Sequence, residues 1–143
     1  MSVGAATQDD AAIRSVLSSY EAALNSSNTE AVIPLYAEDG VFMAPNFQSA
    51  IGKAAVHRAY DAVFKAITLK VKFTIAELVM TSSEWAFVRT NSAGTQKVNA
   101  SGATSTEANQ ELFIFKKAAT AGGGSRAIAS QRPIRREPGD VCT

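Results

Sequence analysis

Leu69-Lys70-Val71-Lys72-Phe73-Thr74-Ile75 alternates apolar and polar residues without a break, the period expected of a strand covered on one face. Upstream of it the period is helical. Ile13, Val16, Leu17, Tyr20 and Leu24 recur at three- and four-residue spacing between Asp9 and Asn25, and Val56, Tyr60, Val63, Phe64 and Ile67 do the same after Gly52, so each stretch reads as an amphipathic helix. Downstream, Glu84 to Thr95 and Glu111 to Lys117 are further strands, and the Gly/Ser/Thr-rich stretch from Gln96 to Thr106 reads as strand ends around a mobile hairpin loop. Ala118 to Ser125, with three consecutive glycines, is another turn. Helices first and antiparallel strands after give an α+β order, not the alternation of a parallel sheet. Three N-terminal helices packed in the concave face of a curved, mostly antiparallel sheet satisfy that order. Such a layout leaves an apolar hollow between the sheet and the first helix, a common setting for a small-molecule site.

Between the two long helices the signals are local. Thr7 with Asp10 reads as the cap of the first helix, and Ser27-Asn28-Thr29-Glu30 as a capping box opening a short second helix that carries Val32, Leu35 and Tyr36. Pro34 limits that helix. Glu38-Asp39-Gly40 reads as a turn, Val41 to Ala44 as a short strand halted by Pro45, and Asn46 to Ile51 as a loop.

With 143 residues, 46% of them hydrophobic and 19% charged, the chain is sized for one core. That domain is read over 8–132, with 1–7 as a flexible start and 133–143 as an irregular tail. A formal charge of +1 supplies no concentrated positive field, so nucleic acid is not expected as a partner. One histidine, His57, and one cysteine, Cys142, leave no ligand cluster for a metal and no disulfide. Gly122-Gly123-Gly124 lacks the lysine and strand-to-helix setting of a phosphate loop, and no cofactor is expected. Neither a signal-peptide pattern nor a bilayer-length apolar run is present; a cytoplasmic address without membrane attachment is the default reading. The sequons at Asn25 and Asn99 are then read as chance matches.

Glu111 is the foremost candidate for chemistry. It alternates with Phe113 and Phe115, so it shares their face; if that face lines the hollow, burial raises its pKa and suits it to carry a proton. The bland alternative is an ion pair with Arg89 on the neighbouring strand. Tyr20 fits the core stripe of the first helix and can also donate a hydrogen bond to a ligand carbonyl or a developing enolate. Phe47, Tyr60, Phe64 and Trp85 are read as walls of the pocket or the core, and Arg89 as a further ligand-binding candidate. His57 flanks the apolar stripe of its helix and is the weaker base candidate. Asp39, before Gly40, is assigned to turn formation.

Tyr20-Glu21-Ala22-Ala23-Leu24-Asn25, Leu35-Tyr36-Ala37-Glu38-Asp39-Gly40-Val41-Phe42, the Gly52 helix start with Val56 and Tyr60, Trp85-Ala86-Phe87-Val88-Arg89-Thr90 and Glu111-Leu112-Phe113-Ile114-Phe115 together resemble the SnoaL-like and ketosteroid-isomerase-like branch of the nuclear transport factor 2 superfamily. The resemblance runs from about Asp9 to Lys117. It implies a cone-shaped, cystatin-like roll and a homodimer through the outer sheet face, where Leu112 and Ile114 would lie. It also implies roles: Tyr20 matches the oxyanion-binding tyrosine of the isomerases, Glu111 falls at or next to their second carboxyl, and Ala44, before Pro45, stands where they carry the catalytic aspartate. Alanine moves no proton. The fold hosts isomerases, dehydratases, cyclases and non-catalytic modules, so two readings follow. One is a cofactor-independent isomerase, cyclase or dehydratase acting on a small, mostly apolar carbonyl compound; the other is a non-catalytic ligand-binding or dimerisation module.

The family's last strand usually starts with tryptophan and leads to an Asn-Pro-Pro tail, which this chain does not spell. Codons for Gly123 to Arg136 nevertheless exist that, read one nucleotide earlier, give Trp-Gly-Ile-Ala-Arg-Tyr-Arg-Phe-Ser-Thr-Ala-Asn-Pro-Pro. A frameshift near Gly122 is therefore the hypothesis for this segment. The coding DNA decides it, since codons incompatible with that second reading end the idea. A strand over Ala127 to Gln131 remains compatible with the sequence as it stands.

Overall fold

The computed structural model describes residues 3–44, 47–117 and 126–135. Its elements, in chain order, are α1 (Val3–Asn25), α2 (Thr29–Val32), a 3-10 turn (Ile33–Leu35), β1 (Tyr36–Phe42), β2 (Ala50–Ile51), α3 (Lys53–Ala66), β3 (Ile67–Met80), β4 (Trp85–Val98), β5 (Thr104–Lys117) and β6 (Arg126–Arg135). The strands form one six-stranded sheet in the order β2-β1-β6-β5-β4-β3. Among the described strands only the β1–β6 pair is parallel. The fold is the α+β arrangement that the change of period implied, with the one difference that β1 and β2 come before α3 and the four longer strands after it.

The core follows from the same periodicities. Ile13, Leu17, Tyr20 and Leu24 of α1, with Val56 and Tyr60 of α3, are buried against Val71 of β3, Ala86 and Val88 of β4, and Phe113 and Phe115 of β5. Each fully buried large apolar side chain contributes about 1.5–3 kcal/mol relative to exposure. On β4 the even-numbered residues Ala86, Val88, Thr90 and Ser92 face inward, and on β5 the odd-numbered Glu111, Phe113 and Phe115 do so.

Several local expectations are corrected. The first helix begins at Val3 and runs through Thr7, because the alanine-rich start, Ala5, Ala6, Ala11 and Ala12, favours continuing the helix over capping it. Asp10 instead pairs with Arg14 one turn later, at 2.6 Å. Ser27 adopts a left-handed φ of 52°, so it closes α1; Asn28 is the cap of α2, its side chain accepting from the Ala31 amide at 3.2 Å. Glu38-Asp39-Gly40 is a bulge within β1, not a turn. Pairing with β6 jumps from Tyr36–Ile128 to Val41–Ser130, so five residues of β1 advance against two of its partner. Gly40 permits this, since a Cβ there would sit 2.9 Å from the Tyr36 ring and 3.0 Å from the Ala37 carbonyl oxygen.

The polar stretch after Gln96 is also mostly strand. β4 and β5 stay paired from Trp85–Lys116 to Lys97–Thr104, and the connection shrinks to residues 99–103, closed by Val98 N–H to the Ala103 carbonyl at 2.8 Å. Main-chain ladder bonds carry these serines, threonines and glutamines, which lack the apolar alternation that marks a strand in sequence. β6 spans Arg126–Arg135, longer than the strand expected over Ala127 to Gln131. The expected turn from Ala118 to Ser125, Pro45 and the tail beyond 135 lie outside the described residues.

Both sequon asparagines are engaged in the fold. Asn99 donates through Nδ2 to the Phe64 and Lys65 carbonyls, at 3.1 and 3.0 Å, and closes the C-terminal end of α3. Asn25 grips the edge of β3, accepting from the Val71 amide at 2.7 Å and donating to the Val71 carbonyl at 2.8 Å. Glu21 accepts from the Phe73 amide at 3.0 Å. Replacing Asn25 with alanine strips one half-buried donor and one acceptor of β3 of their partners. The expected loss is about 1–3 kcal/mol, read as a lower urea midpoint at unchanged slope.

Candidate functional site

A cavity of about 750 Å3 opens between the concave sheet face, α1 and α3, within the size range of small-molecule sites. Its apolar wall includes Leu24, Ala59, Ala62, Val63, Leu69, Val71 and Phe73. Its polar wall is made by β4 and β5, where Ser92, Gln96, Glu107, Asn109 and Glu111 point inward. Tyr20, Tyr60, Phe42, Phe47 and Ala44 complete it.

Glu111 lies deep in this space, 5% exposed. It sits opposite Thr90 on β4. Thr90 Oγ1 donates to Glu111 Oε2 at 2.6 Å, and the Ser92 hydroxyl donates to Oε1. Burial pushes the Glu111 carboxyl above the usual carboxylate range; the Ser92 and Thr90 donors pull it back in part, and the Glu107 charge adds to the upward push. The carboxylate is thus held in one orientation and holds a proton more readily than an exposed one. The alternative, an ion pair with Arg89, does not form.

Beside it three tyrosines share their hydroxyls. Tyr60 OH lies 2.7 Å from Tyr20 OH and 2.7 Å from Tyr36 OH, and all three rings are buried. Phe42 stacks on Tyr60 with ring centroids 4.4 Å apart, and Phe113 meets Tyr20 edge-on at 5.5 Å. Burial raises the pKa of each phenol, so all three keep their protons at neutral pH. Three hydroxyl protons serve two O–O contacts, which leaves one donor over. In the arrangement where Tyr36 donates to Tyr60, that donor belongs to Tyr20 or Tyr60, the two that line the cavity; where Tyr60 donates to Tyr36 and Tyr20 to Tyr60, it stays on Tyr36.

The structure therefore brings Glu111, Tyr20, Tyr60 and Phe47 to one cavity. Phe47 is 78% exposed and sits at its mouth. Phe64 lies behind, its ring 5.8 Å from that of Tyr60. Trp85 and Arg89 are corrections: both are odd-numbered residues of β4 and face the outer side, where Trp85 is 41% exposed and Arg89 Nε donates to Glu77 at 3.4 Å. His57 is also elsewhere, bound to Glu30 at 2.6 Å and to Asp61 at 3.2 Å. The Glu30 contact raises its pKa above the ordinary imidazole value. Asp39 is held by Lys116 on β5 at 2.5 Å, which lowers its pKa. Sequence reasoning missed Tyr36, Thr90, Ser92, Gln96, Glu107 and Asn109. Counting by two from Glu111 along β5 identifies Glu107 and Asn109.

The family model of the SnoaL-like domain matches residues 16–119. The chain belongs to the SnoaL-like family. A solved ketosteroid isomerase-like protein from Erwinia carotovora atroseptica is 36% identical to this SnoaL-like chain, with 90% of this chain and 96% of that one covered and a TM-score of 0.83. A conserved protein from Planctomyces limnophilus (21% identity, 90% and 98% covered, TM-score 0.74) and an NTF2-like protein with a cystatin-like fold from Novosphingobium aromaticivorans (18%, 94% and 86%, 0.69) share the fold. No curated protein matches the chain significantly. In this SnoaL-like chain Ala44 lies on the cavity wall, at the position where the isomerase resemblance implies an aspartate, so any proton transfer falls to another group. No helix among the described residues is long and apolar enough to cross a membrane.

Proposed function

We propose that this SnoaL-like protein is a cofactor-independent acid-base enzyme, an isomerase, cyclase or dehydratase that acts on a small, mostly apolar carbonyl compound. The observation that carries the reading is the buried, hydroxyl-held carboxylate of Glu111 in the same cavity as the hydrogen-bonded hydroxyls of Tyr20 and Tyr60. Glu111 takes a proton from the carbon beside the carbonyl, and the carbon–hydrogen electron pair moves into an enolate. Tyr20, supported by Tyr60, donates to the enolate oxygen, and the Glu111 proton is then returned to carbon or given to a leaving group. Apolar walls exclude water, which strengthens both interactions.

Ala44 favours a second reading, a binding or dimerisation module with the same cavity and no turnover. Both readings include a homodimer through the outer sheet face, supported by Leu112 at 39% exposure and by Val79 and Trp85 on the same side. Native mass spectrometry of the untagged protein, with denaturing extraction of bound material, tests the site and the assembly together. A dimer carrying a carbonyl compound is the expected result. An empty dimer shifts the balance to the module, and a monomer at working concentration removes the interface.

A further inference from the structure

Of the two hydroxyls that hold Glu111, Ser92 lines the cavity and Thr90 does not. The register explains the difference. Thr90 is directly opposite Glu111 on β5, whereas Ser92, two residues further along β4, is directly opposite Asn109 and diagonal to Glu111. Ser92 Oγ donates its proton to Glu111 Oε1, while Thr90 Oγ1 holds Oε2 at 2.6 Å. A hydroxyl whose proton is held by a carboxylate keeps its lone pairs for an electrophile. A nucleophile, a base within hydrogen-bond reach and a third group that orients the base are the parts of an activated serine, and Ser92, Glu111 and Thr90 stand in those three places. Burial raises the affinity of Glu111 for a proton, which makes it a stronger base than an exposed carboxylate. Asn109 adds a donor. As directly opposite residues, Ser92 and Asn109 have Cβ atoms about 4.5–5.5 Å apart, and both line the cavity, so the Asn109 amide can meet an oxyanion formed at Ser92.

We propose that Ser92 is a nucleophile and that the cavity carries a second activity, acyl transfer from small apolar esters. Ser92 Oγ attacks the ester carbonyl carbon as its proton passes to Glu111, and the carbonyl π pair moves onto oxygen, where Asn109 donates. Collapse of the tetrahedral intermediate breaks the bond to the alcohol oxygen, which leaves with the proton from Glu111, and an acyl ester of Ser92 remains. Water then attacks that ester, giving its proton to Glu111, which returns one to Ser92 Oγ as the carboxylic acid departs. The activity shares the cavity and Glu111 with the proposed proton transfer but needs no acidic carbon.

That difference selects the probe. 4-Nitrophenyl benzoate has no hydrogen on the carbon beside its carbonyl, so it cannot react through an enolate. Incubated with the whole protein at pH 7, it is expected to release nitrophenolate faster than in buffer and to leave a benzoyl group on Ser92, located by peptide mass spectrometry after acid quenching. S92A is expected to lower the release at least about 100-fold while its circular dichroism matches the wild type. S92C, which restores a nucleophile at the same position, is expected to regain benzoylation there, and E111Q to slow it. Benzoylation of Ser92 in a protein that enolises no ketone upholds acyl transfer and removes only the proton-transfer reading; enolisation without benzoylation does the reverse. A folded S92A that releases nitrophenolate at the wild-type rate, benzoyl groups confined to other residues, or no release above buffer each overturns the proposal.

Discussion

Turnover of the Glu111→Gln protein is expected to fall by about 10²–10⁴-fold, the span of one general acid-base group, with the fold unchanged. Glutamine keeps the shape, and its amide can still satisfy Thr90 and Ser92, which donate to the carboxylate at present. It cannot accept a proton. The pH profile makes the result specific. As a base, Glu111 works only when ionised, and its pKa is raised by burial, so wild-type activity falls as pH drops through that raised value. Stability has the opposite sign. Because folding favours the protonated carboxyl, ionisation opposes the fold as pH rises from the ordinary carboxylate value through the raised one. E111Q is therefore expected to be as stable as the wild type, or more so, at neutral pH, and to lose the acid limb of whatever residual activity remains. Steady-state rates on the compound extracted from the protein, with thermal melts at pH 4 and pH 7, check both halves. Unchanged activity removes Glu111 from the chemistry.

Gly94→Ala is expected to prevent normal folding. A Cβ at position 94 would stand 1.8 Å from the Lys70 carbonyl oxygen and 2.8 Å from the Lys70 carbonyl carbon and the Val71 Cα. All three are main-chain atoms of the neighbouring strand, and Gly94 is paired with Val71 in the β3–β4 ladder, so no side-chain rotation relieves the overlap. The strands must part where the sheet curls over α1. A loss of more than about 4 kcal/mol is a large share of the roughly 5–15 kcal/mol that holds a domain together. Ala93→Gly, the exposed neighbour, is the control, at about 0.5–1 kcal/mol. Yield of soluble protein and the urea midpoint give the comparison; a G94A protein that melts with the wild type would show that the strands separate freely here.

The long periodic segments were legible because burial imposes its spacing on sequence: α1, α3 and the core stretches of β3 and β5 are spelled by Leu17, Tyr60, Val71 and Phe113. Less could be read where the main chain carries the pairing. Gln96 to Thr106 has few apolar residues to mark a period, and the β1 bulge uses the residues of a turn, Glu-Asp-Gly. The candidate site followed the same division. The inward placement of Glu111 is legible because Phe113 and Phe115 mark its face, and that of Tyr20 because the helix stripe includes it. Trp85 and Arg89 were misplaced because β4 has apolar residues on both faces, Phe87 outward and Val88 inward, which hides its phase. Register resolves it: Thr90 opposite Glu111 turns Arg89 away. Tyr36 follows the helical spacing of Val32 and Leu35 in sequence but begins β1, which brings its hydroxyl to Tyr60.

The grip of Asn25 and Glu21 on β3 has a consequence for how copies of this protein meet. An open strand edge is a template on which another chain can add a strand, the first step toward runaway association. Here the middle of one edge is occupied by side chains from the chain's own first helix, and the opposite edge, β2, is two residues long. Growth by strand addition is blunted on both edges of the described sheet, which leaves its faces as the surfaces on which the proposed homodimer would close on itself and stop.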